Sequence, residues 1–363
     1  MIQNHYSDFK IAHFPDKLRS FVEGRIAAPI YVRIKPHLAC AHGCGWCVYS
    51  TGFRTHDVPG HLVSGMHADM TNEHASIAPE KMYEVLEDLR DMGVKAVTYS
   101  GGGEPLQHPQ IVGFAQRTLD YGIDLSLISN GQMLRKARAE VFGHSRWTRV
   151  SMDYQNAEQM AASRNVAPAS FGIVMRNIEE FAKSKDAACT LGVNYIVTHE
   201  NSRNLAEFAR TLRNIGVNDL RVSPVWRTDF HEYHGVICDD VGDEISVAAG
   251  LSDENFHVYS SYDIDSPSYG NDRPSTKCFF MQMVPVVGAD CKIWACHHKA
   301  FDNTGLIGSI EHQRFRDLWF SDEAKAVFDG LNPQVVCAGH QCANDGKNRA
   351  IMEYLSTEGD NFV

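Results

Sequence analysis

The chain has 363 residues, 44% of them hydrophobic, enough for a large core and too apolar for intrinsic disorder. Asp and Glu outnumber Lys and Arg 45 to 34, a formal charge of −11, so the basic excess that draws proteins to nucleic acid or anionic lipid is missing. Met1 to Lys17 is polar, and no later run approaches the roughly 18 apolar residues of a membrane span, so the expectation is a cytoplasmic protein with no nucleic-acid or membrane partner.

From Ile30 to Pro224 short apolar strands alternate with amphipathic helices, the pattern of βα units and a parallel sheet. Six strands are expected: Ile30–Ile34, Val94–Tyr99, Ile123–Ile128, Thr148–Met152, Leu191–Val197 and Leu220–Ser223. The helix before the second strand opens at Pro79, repeats Met82, Val85, Leu86, Leu89 and Met92 at helical spacing, and closes at Gly93. Similar stretches cover Gln110–Asp120, Ser170–Ser184 and Ser202–Ile215. Six units are fewer than the eight of a closed barrel, so periodicity allows an open partial barrel or a doubly wound sheet. Thr228–Ser275 reads as a connecting region with one helix near Val241–Leu251 and one strand near Phe256–Tyr259. Beyond it, Phe279–Val287 and Lys292–Cys296 flank the turn Gly288-Ala289-Asp290, a hairpin signal, and Phe315, Leu318, Trp319, Val327 and Phe328 mark a later helical stretch.

Ten cysteines in a reducing compartment point to metal, redox chemistry or burial rather than disulfides. Cys40, Cys44 and Cys47 stand directly after the first strand in a loop with two glycines. Three thiolates satisfy three irons of a 4Fe-4S cluster and leave the fourth open, whereas structural zinc wants a fourth local ligand. The alternatives at this point are zinc completed by His42 and three unrelated buried cysteines.

The three-then-two spacing of Cys40, Cys44 and Cys47, with Trp46 before the last cysteine, resembles the signature of the radical S-adenosylmethionine (radical SAM) enzymes. A second motif strengthens the resemblance: Gly101-Gly102-Gly103-Glu104-Pro105, at the end of the second strand, matches the family's Gly-Gly-Glu-Pro motif. There the resemblance implies contact with the cofactor's methionyl amino group, with glycines allowing close backbone approach and Glu104 offering an acceptor. It further implies cofactor contacts from Ser129 and Asn130 at the end of the third strand and from Ser151 and Asp153 at the end of the fourth; each could equally be a turn or a helix cap. Asn194, Arg221, His199 and Glu200 are left open, since a strand side chain can point to either face.

Cys278, Cys291, Cys296, Cys337 and Cys342 resemble the auxiliary-cluster extensions of this family, the longer called SPASM and the shorter twitch. The resemblance implies one auxiliary 4Fe-4S cluster on Cys278, Cys296, Cys337 and Cys342, with structural zinc on the same four as the alternative. Five cysteines are too few for two auxiliary clusters. Cys291 stands where the family hairpin has glycine, which leaves its role open. His297, His298 and His340 beside the ligands are expected to pack or face solvent, and Cys189 and Cys238 to be inert.

The expected organisation is an N-terminal extension (1–29), a partial (β/α)6 TIM-like barrel (30–227), a connecting region (228–277) and a small SPASM/twitch-like hairpin-and-helix domain (278–363). The family's chemistry is reductive cleavage of S-adenosylmethionine at the open iron, giving a 5′-deoxyadenosyl radical that abstracts hydrogen, with electrons from a donor such as flavodoxin or ferredoxin. The auxiliary cluster implies an electron acceptor, and hence oxidation of a small polar metabolite such as a sugar, aminocyclitol or nucleotide. Peptide modification is the rival reading, and a metal-stabilised binding protein the distant one. Ser50–Ser76, with four histidines, is a candidate lid or substrate wall.

Overall fold

The computed structural model describes residues 7–47, 49, 76–227, 229–266, 273–338 and 342–357. Of the proposed lid only Ser76 is among them, and His340 is not.

Six expected strands form close to their expected bounds: β1 (Tyr31–Ile34), β2 (Ala96–Tyr99), β3 (Asp124–Ser129), β4 (Trp147–Ser151), β5 (Thr190–Val197) and β6 (Asp219–Pro224). Beside α1 (Pro15–Val22), the helices of this region are α2 (Pro79–Asp91), α3 (Ile111–Asp120), α4 (Ala137–Gly143), α5 (Ala157–Arg164), α6 (Ala169–Ser184) and α7 (Leu205–Asn214). In α2, Met82, Val85, Leu86 and Leu89 are buried as their spacing required, and Gly93 leaves the helix at φ +73°. The connecting region holds more than a connection. After α8 (Phe230–Gly235) and α9 (Cys238–Ala249), β7 (His257–Ser260) pairs in parallel with β6, so the sheet gains a seventh unit.

Strand order settles the choice left open by periodicity. β1 to β7 lie side by side in chain order, all parallel, with no reversal. Right-handed crossovers without a switch point put every helix on one face, and α2, α3, α4 and α6 indeed pack in succession. This is the wound layer of a partial TIM-like barrel. The helix-facing side of the strands, including Val32, Val97, Val150, Val193 and Val222, is fully buried. The opposite, concave side is polar: strand alternation assigns it Arg33, Thr98, Ser126, Arg149, Asn194 and Arg221.

The C-terminal part differs from expectation. Phe279–Val287 is not one strand: α10 (Phe280–Met283) precedes a two-residue β8 (Val286–Val287). β8 pairs in parallel with β1 and antiparallel with β9 (Lys292–Trp294), which pairs with β10 (Leu306–Ser309), so the hairpin extends the barrel sheet from its β1 edge. The later helical stretch divides into α11 (Phe315–Trp319) and α12 (Asp322–Gly330), followed by α13 (Pro333–Val336) and α14 (Asp345–Ser356). α1 is docked: Leu18 and Phe21 share an apolar cluster with Met283 and Ile351. Trp319 joins the ends of the chain by donating its indole N–H to the Ala27 carbonyl at 3.0 Å.

Asp88 of α2 is completely buried and accepts 2.8 Å from Arg314 Nε, while Arg314 also reaches Glu87. Truncating the half-exposed Arg314 would leave the buried Asp88 with only the Arg316 N–H at 3.3 Å, so Arg314→Ala is expected to cost about 1–2 kcal/mol of stability. Denaturant titration of the holoprotein checks this; an unchanged midpoint would refute the pair's importance.

Candidate metal and cofactor centre

The cysteine loop leaves β1 and is held by two neighbours. Its Gly43 N–H donates to the Arg164 carbonyl at 2.6 Å and its Gly45 N–H to the Ser163 carbonyl at 3.3 Å. Arg164, buried at the end of α5, reaches Cys44 Sγ at 2.7 Å, pairs with Asp153, and lies over Trp46 at 5.5 Å. On the other side Asn130 Nδ2 approaches Cys40 Sγ at 3.7 Å. Burial pushes Cys40 up to about 11 and raises Cys44, and the neighbouring thiols add to both shifts.

The glycine turn at the end of β2 is pressed onto this loop. Gly103 N–H donates to the His37 carbonyl and Glu104 N–H to the Ala39 carbonyl, each at 2.9 Å. A Cβ on Gly103 would stand 2.2 Å from Ala39 O and 2.4 Å from the Leu38 carbonyl carbon, so this glycine is required by backbone-to-backbone approach. A Cβ on Gly102 would meet the end of the Leu38 side chain instead, at 2.3 Å. Gly103→Ala is therefore expected to displace Leu38–Ala39 and reduce iron content, beyond any loss of S-adenosylmethionine affinity. Full iron content in that variant would contradict the argument.

Glu104 is buried. Oε1 accepts from Ser129 Oγ at 2.8 Å and Leu106 N–H at 3.0 Å, and Oε2 accepts from Asn130 N–H at 2.8 Å. Burial raises its pKa and these bonds oppose the rise. Pro105 opens the short helical turn that follows, and Lys35 donates to the Gly101 carbonyl. The structure thus gathers Glu104, Ser129, Asn130 and Cys40 into one network. Asp153 adjoins it through Arg164, to which the Ser151 carbonyl also accepts at 3.3 Å.

Buried polar atoms without a hydrogen-bond partner concentrate here: His42 Nδ1, Ser100 Oγ, Asp153 Oδ2, Tyr154 Oη, Ser163 Oγ and Arg164 Nε. Native interiors rarely tolerate such groups, and together they fit a ligand rich in polar atoms, as an amino acid joined to a nucleoside is. His42 turns its Nε2 toward Gln132 Oε1 at 2.6 Å.

At the C-terminal group, Cys278, Cys296, Cys337 and Cys342 lie within electrostatic reach of one another. Burial pushes Cys296 up to about 12 and Cys337 up to about 11, and raises Cys278 and Cys342. Cys291 stands apart: it occupies the hairpin turn at φ +55°, and its charged neighbours are Asp290, Lys81, Glu311 and Glu84. Among the described residues no group of three or more His, Cys, Asp or Glu is arranged to hold a single metal ion. Cys189 is buried beside Ser145, and Cys238 approaches the Gly235 carbonyl.

Sequence reasoning missed Arg164 and Lys35, whereas His297, expected to pack or face solvent, packs against Lys35 and Tyr49. Lys35 is completely buried, bonded to Tyr49 Oη at 2.8 Å and placed 3.4 Å from His297 Nδ1. Burial and Arg33 push its pKa well down, while Cys47 and Cys296, one from each cysteine group, pull it up. Strand alternation beyond Val32 and Ile34 was the available signal for its facing inward. His199 stacks on Tyr233 at 3.8 Å, and Glu200 is exposed.

Residues 34–212 match the family model described as the Radical SAM superfamily, and the chain belongs to that superfamily. Among curated proteins it is similar to the tungsten-containing aldehyde ferredoxin oxidoreductase cofactor-modifying protein of Pyrococcus furiosus, 26% identical over 160 residues, covering 42% of this chain and 44% of the relative. It is also similar to PqqA peptide cyclase of Gluconobacter oxydans, 22% identical over 139 residues and covering 38% of each. The matched segments span less than half of these relatives. Among solved structures the fold resembles Streptococcus suis SuiB bound to precursor peptide SuiA, with TM-score 0.59 and 15% identity over 90% of this chain and 72% of that one. It equally resembles native anSMEcpe with bound AdoMet, with TM-score 0.59 and 13% identity over 90% and 96%. Among the described residues no helix is long and apolar enough to cross a membrane.

Proposed function

We propose that this radical SAM enzyme is an oxidoreductase with two cluster sites, the open one on Cys40, Cys44 and Cys47 and a closed auxiliary one on Cys278, Cys296, Cys337 and Cys342. The supporting observation is the separation of the thiols into groups of three and four whose members lie within electrostatic reach of one another, with Lys35 feeling Cys47 of one group and Cys296 of the other. When bound, the clusters and S-adenosylmethionine supply one-electron cleavage to a 5′-deoxyadenosyl radical, hydrogen abstraction and an acceptor for the remaining electron. The chain's own part is to position and enclose. Glu104, Ser129 and Asn130 brace the cysteine loop. Trp46, Gly101–Pro105, Ser151 and Asp153 would border the cofactor, and its polar groups would supply partners for the orphaned atoms around them. Arg164 holds Cys44 and orients Asp153.

The substrate in this reading is a small polar metabolite received by the polar concave face, and a flavodoxin or ferredoxin is the electron donor. A second reading, peptide modification, is favoured by the peptide named for PqqA cyclase and for SuiB. The test is anaerobic incubation of reconstituted, dithionite-reduced protein with S-adenosylmethionine. 5′-Deoxyadenosine is expected, and its absence would overturn the enzyme reading. Stimulation of cleavage by a small-molecule cell fraction supports the first substrate class, and stimulation only by a peptide fraction supports the second.

A further inference from the structure

Lys35 leaves β1 where three segments meet. Its backbone N–H donates to the Val287 carbonyl at 2.9 Å, at the point where β8 joins the barrel sheet. Its side chain is completely buried; Nζ donates to Tyr49 Oη at 2.8 Å and to the Gly101 carbonyl, and lies 3.4 Å from His297 Nδ1. Tyr49 stands two residues after Cys47, Gly101 opens the glycine turn, and His297 directly follows Cys296. The contacts close on one another: Tyr49 Oη donates to the His297 carbonyl at 3.3 Å, and Nζ lies 4.1 Å from the centre of the Tyr49 ring.

Three acceptors around one nitrogen match the three N–H donors of an ammonium, one more than a neutral amine carries. Tyr49 gives its own proton to the His297 carbonyl, so it meets Lys35 with a lone pair, and His297 Nδ1 accepts when the ring proton sits on Nε2. The surroundings are thus those of a charged lysine. A buried cation is costly without an anion, yet among the described residues no carboxylate pairs with Lys35. The anions at hand are the two sets of cysteine ligands: burial and Arg33 oppose the charge on Lys35, and Cys47 and Cys296 favour it.

We propose that Lys35 is a positioning residue shared by the two cluster sites: held by Gly101, Tyr49 and His297, its ammonium is a common buried countercharge that makes both clusters easier to reduce. This rests on the reading of the two cysteine groups as two iron–sulfur sites. Reduction adds negative charge to a cluster, so a fixed cation nearby stabilises the reduced form, and more strongly where water is excluded. The same three contacts tie the cysteine loop, the glycine turn and the end of the hairpin to one atom, which fixes the charge relative to both sites.

The experiment uses the full-length protein, anaerobically loaded with iron and sulfide and titrated electrochemically, the reduced clusters being followed by electron paramagnetic resonance. The Cys337→Ala, Cys342→Ala protein gives the open cluster alone. Lys35→Gln keeps an N–H donor and removes the charge. It is expected to lower both potentials, so that at a fixed applied potential the ratio of reduced to oxidised cluster falls about tenfold, or ~59 mV for a one-electron couple. Lys35→Arg should recover most of that shift, whereas a residue that only packs would leave the potentials in place. With both clusters loaded, an unchanged potential at either one overturns the inference. If Lys35→Gln loses iron, Lys35→Met is titrated in its place with the same expectation. Should that variant lose iron too, retention by Lys35→Arg alone supports the countercharge, and loss from all three overturns it. The wild type separates the two readings: about four irons per chain instead of about eight defeats the two-cluster reading, whereas about eight irons with unmoved potentials defeats this inference alone.

Discussion

Replacing Cys40, Cys44 and Cys47 together with Ala is expected to remove about four irons per chain and abolish cleavage of S-adenosylmethionine, the largest effect any change here should have. The loop itself is held in place independently of the thiols, by the Gly43 and Gly45 N–H bonds to the carbonyls of residues 164 and 163. The fold should survive, because the loop lies outside the apolar core formed by the strands and α2 to α7. Iron analysis and 5′-deoxyadenosine assay check the outcome, and retained cleavage would end the assignment of the site.

The second large effect belongs to the C-terminal group. A Cys337→Ala, Cys342→Ala double variant is expected to lose a further set of about four irons while keeping cleavage to 5′-deoxyadenosine, and to form little oxidised product. The two residues flank a short connection between α13 and α14, remote in sequence from the open site. Both cleavage and product surviving at wild-type levels would show that these thiols are only structural. Cys291→Ala, in contrast, should leave iron content unchanged, since its neighbours are Asp290, Lys81, Glu311 and Glu84 rather than the other thiols.

Much of this was legible in the sequence because it is local. Strand bounds followed from apolar runs, the helix of Pro79–Asp91 from its spacing, and the cysteine loop from its own short motif. Phe279–Val287 misled because its apolar run suits a buried helix turn as well as a strand, and tertiary packing chose the helix for Phe280–Met283. The joining of β8 to β1 could not be read, since pairing between residues some 250 positions apart leaves no periodic trace. The same holds for Arg164 on Cys44 and for Lys35 between the two cysteine groups. Asp153 was singled out as a cofactor contact, yet its partner Arg164 lies eleven residues on, at the far end of α5, and only the fold joins them. The glycine turn was read as an approach to a ligand, whereas Gly103 is needed first for the turn's approach to the cysteine loop.

The central claim is that the three-cysteine loop holds an iron–sulfur cluster whose open site receives S-adenosylmethionine. Electron paramagnetic resonance of the reduced Cys337→Ala, Cys342→Ala protein isolates that cluster from the other. A single reduced 4Fe-4S signal that changes shape when S-adenosylmethionine is added is the predicted result. A signal unaltered by S-adenosylmethionine, or no cluster signal at all from protein that remains folded, would contradict it.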